Sequence, residues 1–288
     1  MDKSANDPIP NLNGAVDPEL REIHHLVLAL YNRETAIIRA NPASKASVNV
    51  ISFLSNQAVI FADAALVMLE DDRQPINVPA ASVRTCLEAQ ARANHVIAAK
   101  GKEREKRAGE LELLMKIGHQ YYELLGIKMA KDFAPNLSNS QPRDLPYVPH
   151  IQKLFKNIET SKLPKLEKQY KQLNREWGYT KIIGRDKFSD KTWMSRSEAQ
   201  MLQPELYLRY TWLCAFVHCD PASIRLAPVL TPLSLAYTAV MAEIAAVLCF
   251  FIALGKENDQ DLVNLKKRFI AFDVCEKILP KDHLPSLH

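Results

Sequence analysis

The run LSLAYTAVMAEIAAVLCFFIAL, residues 233–254, is the one span in the chain long enough to cross a bilayer, which takes about 20 residues. Glu243 stands at its middle, where an acid costs roughly 2.5–3.5 kcal/mol to place in a membrane. Small residues recur at Ala236, Ala239, Ala242, Ala246, Cys249 and Ala253, three or four positions apart, so a neighbouring helix can approach closely along that side. The span therefore reads as the buried central helix of a bundle. A membrane-associated protein using this helix is the alternative.

Just upstream, Tyr207 to Pro221 reads YLRYTWLCAFVHCDP. At 3.6 residues per turn, Tyr207, Thr211, Cys214 and His218 share one stripe bordered by Tyr210, with Leu208, Trp212, Ala215 and Phe216 on the flank. Polar groups on a stripe between apolar flanks need partners inside the protein. Pro221 ends this helix at about His218 or Cys219. A histidine in a last turn can serve simply as a cap for an orphan carbonyl, or it can face a site.

Further out, helix signals follow one another. Asp17-Pro18-Glu19 gives an N-cap, a proline at the first helical position and an acid in the first turn, opening a helix to about Ala40. Later helices are expected from about Ser44 to Glu70, Val78 to Lys100, Glu103 to Lys131, within Ile151–Glu176 with a break before Pro164, Pro232 to Gly255, and Asn258 to Leu279 with Asn258 as cap. Between Asp132 and Pro149 four prolines with Asn and Ser suggest an irregular linker. No run alternates with period two and no Asn-Gly or Asp-Gly hairpin signal occurs. The fold class is all-α, a bundle of about seven or eight helices. Residues 1–16 are expected to be a disordered tail, 17–280 a single helical domain with a basic insertion at about 132–196, and 281–288 a second tail.

Composition narrows the function. Eight scattered glycines form neither G-x-G-x-x-G nor G-x-x-x-x-G-K, so no familiar phosphate-cradling loop is encoded. Five cysteines without a C-x-x-C pair read as reduced thiols, and the polar N-terminus lacks a signal pattern, so the expected compartment is the cytoplasm. Glu22 to His25 is a Glu-x-x-His, but a di-iron bundle needs a second one and none is present. No metal and no cofactor are expected.

On the helix after Pro79, Arg84, Glu88, Arg92 and His95 form a ladder with spacings of 4, 4 and 3, among Val83, Cys86, Leu87, Ala89, Ala91, Val96 and Ile97. Such a ladder can be an exposed intrahelical ion-pair row worth about 0.2–0.5 kcal/mol per pair. Alternatively it is a network inside the bundle in which Glu88 orients a cation and faces His218. Arg84-Thr-Cys-Leu-Glu88, a later Trp193-x-x-Arg-Ser197 segment, and Tyr210 with His218 together resemble the bacterial helical family catalogued as domain of unknown function 5677, over roughly residues 45–255. The resemblance implies an all-helical fold in which Arg84, Glu88, Tyr210 and His218 come together. Such domains are distantly similar to helical nuclease folds of prokaryotic toxin and antiviral systems. The Arg-to-His spacing of those nucleases is approached here only between Arg143 and His150, where Pro146 and Pro149 preclude a helical presentation.

Ile151 to Lys187 holds ten Lys or Arg against four Asp or Glu, with Tyr170, Trp177, Tyr179 and Phe188 in or beside it. Cations interleaved with aromatics can follow a phosphate backbone and stack bases. Lys165, Lys168, Lys171, Arg175, Lys181, Arg185 and Lys187, with Arg92, are the candidate nucleic-acid contacts. The expectation is a cytoplasmic effector or accessory of a defence or toxin system acting on RNA through a site of Arg84, Glu88, Tyr210 and His218. The alternative is a non-catalytic module that binds nucleic acid or a partner protein. Oligomeric state is open at this level.

Overall fold

The computed structural model describes residues 16–40, 45–71, 76–137, 158–178, 182, 210, 213–214 and 231–272. Among them are seven helices and no strand: α1 (Pro18–Ala40), α2 (Ala46–Glu70), α3 (Asn77–Ala98), α4 (Gly101–Leu137), α5 (Leu163–Glu176), α6 (Pro232–Ala253) and α7 (Gln260–Ala271). The expected all-α bundle is what the chain forms. The chain divides into two compact units, one of residues 1–108 with 182–288, the other of residues 109–181.

The core of the first unit is the packing of α2, α3 and α6 on one another. α6 is buried almost throughout, including Glu243 at 0% exposure. Ala58 of α2, Ala89 of α3 and Ala246 of α6 meet at a fully buried point. Their methyl groups let three backbones approach, close enough for Ser55 Oγ to donate to the Ala246 carbonyl at 2.8 Å and Cys86 Sγ to that of Ala58 at 3.4 Å. The small-residue spacing of the 233–254 run thus marks helix contact. α2 is also long and apolar enough to cross a membrane, so 233–254 is not the one such span. About half of α2 is buried, and Phe53, Ile60 and Val67 are exposed along it.

α1 lies on this core parallel to α6: His24 meets Glu243, and seven residues further along both helices Tyr31 meets Phe250, with ring centroids 5.7 Å apart. Asp17 Oδ1 accepts from the Glu19 amide at 2.9 Å, as its cap position requires. Thr231 caps α6 by accepting from the Ser234 amide at 3.1 Å, with Pro232 in the first turn.

At the other end of α6, Gly255 has φ 71°, the Lys256 amide donates to the Phe251 carbonyl at 2.8 Å, and the Gly255 amide to that of Ile252 at 3.1 Å. This is a Schellman cap. It turns Lys256 so that its Nζ lies 2.6 Å from the buried Glu34 of α1, which Arg33 Nε also reaches at 3.0 Å. A Cβ on Gly255 would meet nothing within 4 Å, so the cost of Gly255→Ala is the left-handed backbone alone. Thermal unfolding of Gly255→Ala is expected to show a loss of about 1–2 kcal/mol, with Gly255→Asn losing less because asparagine tolerates this region.

Several helix boundaries differ from the sequence reading. α4 runs through Asp132 to Leu137, past Pro135, whose fixed φ is itself helical although it gives up a backbone hydrogen bond and crowds the carbonyl one turn back. The cap of α7 is Asp259, not Asn258: its Oδ1 accepts from the amides of Asp261 and Leu262 at 3.1 and 3.3 Å. α7 stops at Ala271, short of the expected Leu279, where Phe272 turns into extended backbone and stacks on Tyr237 at 6.1 Å.

In the second unit, Tyr170 of α5 stacks on Tyr121 of α4 at 5.2 Å and meets Tyr122 edge-on at 5.3 Å. Gly118 makes room, since a Cβ there would stand 3.0 Å from the Tyr170 ring.

Candidate functional site

Arg84 and Glu88 sit one turn apart on α3, and Tyr210 reaches them from 122 residues later. Glu88 Oε1 accepts from the Tyr210 hydroxyl at 2.9 Å and from Arg84 Nε at 3.1 Å. The Arg84 guanidinium lies over the Tyr210 ring, 5.5 Å from its centroid, a cation–π arrangement. Arg92, the next turn along, stands 3.8 Å from Glu88 Oε2. These three α3 side chains are about a quarter exposed.

Three of the four expected site residues are therefore together, joined by Arg92. The fourth, His218, lies outside the described residues. His95 does not continue the ladder inward: its carbonyl and Nδ1 face Arg107 Nη1 at 2.7 and 3.3 Å. Arg104 likewise donates to the carbonyls of Ala99 and Ile97, so two arginines of α4 satisfy the carbonyls at the end of α3.

The chemistry of the cluster follows from its charges. Burial, then the Glu88 charge, pushes the Tyr210 phenol up from its ordinary value, so it stays a neutral donor. Burial alone would lower Arg84, but Tyr210, Cys214 and Glu88 outweigh it and raise it, so it stays cationic. With Arg92 the set carries a net charge of +1, suited to holding an anion. The ion pairs alone add little stability at this exposure.

A second polar constellation, which the sequence reading did not assemble, is buried. His24 of α1 places Nδ1 2.9 and 3.1 Å from the two carboxylate oxygens of Glu243 on α6. Its Nε2 makes no hydrogen bond, yet lies 3.3 Å from Oδ1 of Asp63 on α2, close enough for an ionic interaction. Burial pushes Glu243 up to about 7, with Asp63 adding to the rise and the His24 hydrogen bond and charge opposing it. For His24, burial pulls downward, but Glu243 and Asp63 prevail and hold it above its ordinary value. The two carboxylates use opposite ring nitrogens and so do not converge on a point, and among the described residues no group of three or more ligand side chains could hold a metal ion. Cys86 and Cys249 are buried thiols, the former held well above its usual range and the latter pushed up to about 12 by burial.

Of the expected nucleic-acid contacts, Lys165, Lys168, Lys171 and Arg175 lie exposed on α5, with Lys171 also 2.6 Å from Glu167. Lys181, Arg185 and Lys187 lie outside the described residues. A cleft of about 480 Å³ between α1 and α7 is lined by Leu26, Leu30 and Leu265 with Arg33 and Arg268. Both arginines are engaged by carboxylates, Arg33 by Glu34, Asp259 and Asp261, and Arg268 by Glu22. No family model, no curated protein and no solved structure matches the chain.

Proposed function

We propose that the protein is a cytoplasmic RNA-acting effector or accessory of a bacterial defence or toxin system, and that Arg84 and Arg92, positioned by Glu88 and Tyr210, hold a phosphate of the RNA. The observation that carries this reading is the shared hydrogen bonding of Arg84 and Tyr210 to one Glu88 oxygen, which fixes a guanidinium beside a neutral phenol donor at a quarter-exposed site. Arginine offers the planar donors that suit phosphate oxygens, and Tyr210, which donates its hydroxyl proton to Glu88, holds that carboxylate beside Arg84. Arg84 and Tyr210, both held above their ordinary values, keep their protons near neutral pH. The acid or base of strand cleavage is on this reading His218, the role assigned to it on the sequence.

The exposed cations of α5 favour a second reading, a non-catalytic module that binds RNA through that face. One experiment separates the two. The purified chain is titrated with labelled single-stranded RNA over a range of salt, and the same RNA is run on a gel for cleavage. Arg84→Ala is expected to weaken binding about equally for all sequences and to reduce the salt slope by about 1. Cleavage lost in His218→Ala with binding retained supports the effector reading. Tight binding without cleavage, weakened by combined Lys165, Lys168 and Arg175 substitutions but not by Arg84→Ala, supports the module. No binding even at low salt overturns both.

A further inference from the structure

Of the three helices that pack around α6, α1 is the least embedded. α2, α3 and α6 pack on one another much more extensively than any of them packs on α1. Most of α1's ion pairs are at its surface: Arg21 to Glu70 of α2, Arg268 of α7 to Glu22 and Glu19, and Arg33 to Asp259 and Asp261. Such exposed pairs hold weakly. The interior ties are an apolar face of Leu20, Ile23, Val27, Leu30 and Tyr31, the last on Phe250, and two polar contacts, His24 on Glu243 and Glu34 with Lys256.

Of these, His24–Glu243 is the one whose attraction depends on a proton. With one proton, the pair is either an imidazolium facing a carboxylate or, equal in net charge, a neutral ring facing a neutral acid. With none, a buried carboxylate faces a neutral ring and the adjoining Asp63 charge, which is costly inside a protein. The proton has a short route to water, because Asp63, 3.3 Å from His24 Nε2, has a side chain 62% exposed.

The other titratable or charged groups facing the pair are few. Cys86 of α3 responds to Glu243, and His25 of α1 stands 5.7 Å ring to ring from His24. From α7, Arg268 engages Glu22 and Glu19 beside His24 in α1.

We infer that the His24–Glu243 pair is a proton-operated latch, which holds α1 on α6 while the pair carries a proton and loosens α1 when that proton leaves. Release uncovers the strip of α6 that includes Glu243 and Phe250. The native pair's affinity for its proton, with Glu243 near 7, puts the transition at neutral to mildly alkaline pH.

The test is amide hydrogen exchange of the full chain, followed peptide by peptide across pH and corrected for the intrinsic chemical rate. Protection of α1 is expected to fall by up to about tenfold per pH unit above neutrality, while α2, α3 and α6 stay protected. In Glu243→Gln, where a neutral amide can still accept from His24, protection of α1 is expected to be independent of pH. A flat profile in the wild type overturns the latch, and so does an equal slope in Glu243→Gln. Should that variant not fold, Asp63→Asn decides, being a surface change. Loss of its charge lowers the midpoint whichever partner titrates, since Asp63 raises both His24 and Glu243, and an unchanged midpoint overturns the inference.

Discussion

His24→Ala is expected to destabilise the protein by about 3–5 kcal/mol around neutral pH, where the pair carries its proton, because it removes the partner of a fully buried carboxylate. The pH dependence follows from the signs. Glu243 has a native value of about 7 against an ordinary 4.5, so from about pH 4.5 upward the native state retains a proton that the unfolded chain has released. His24 is also raised above its ordinary 6.5, so its contribution is fully present below pH 6.5 and is lost as pH rises through its native value. Both groups make stability fall with rising pH, by at most about 1.4 kcal/mol per unit for each proton. In the variant, an acid medium keeps Glu243 neutral and spares it the unpaired charge. Chemical unfolding of wild type and variant at several pH values measures this: a difference that is the same at every pH would show that His24 acts only by filling space.

Ala246→Leu is expected to cost about 3 kcal/mol, at the upper end for an overpacked core. Ala246 touches Ala58 and Ala89 where α2, α3 and α6 converge, and all three are at most 2% exposed. A larger side chain has to push apart helices that are also tied by Ser55 to the Ala246 carbonyl and Cys86 to that of Ala58. Ala246→Ser, of nearly the same size, should retain most of the stability. A leucine variant as stable as the serine one, measured by thermal unfolding, would show that the junction can repack.

Much of this fold was legible in the residues. The stop-and-start signals Asp17-Pro18-Glu19, Thr231-Pro232 and Gly255 mark helix ends because their physics is local. The Arg84–Glu88 pair was legible for the same reason, lying one turn apart, and Tyr210 was placed beside the polar stripe of its helix. His24–Glu243 was not assembled, because 219 residues separate the partners and no local rule pairs them. The Glu-x-x-His from Glu22 ends on the neighbouring histidine, His25, which is exposed. A signal was nevertheless present. An acid in the middle of a buried apolar helix needs a partner, and His24 shares the buried face of α1 with Leu20, Ile23, Val27 and Tyr31. The ends of α4 and α7 were misread where Pro135 was given too much weight and where the pull of Tyr237 on Phe272 is tertiary.

The discontinuity of the first unit bears on its synthesis. α2 and α3 can pair as soon as they emerge, but their third partner, α6, follows about 150 residues later. At 5–20 residues per second that interval is roughly 8–30 s, during which Ala58 and Ala89 lack the helix that buries them. The nascent chain must carry an uncovered apolar seam while residues 109–181 are made, so a ribosome stalled in that interval presents a ready target for chaperones and proteases.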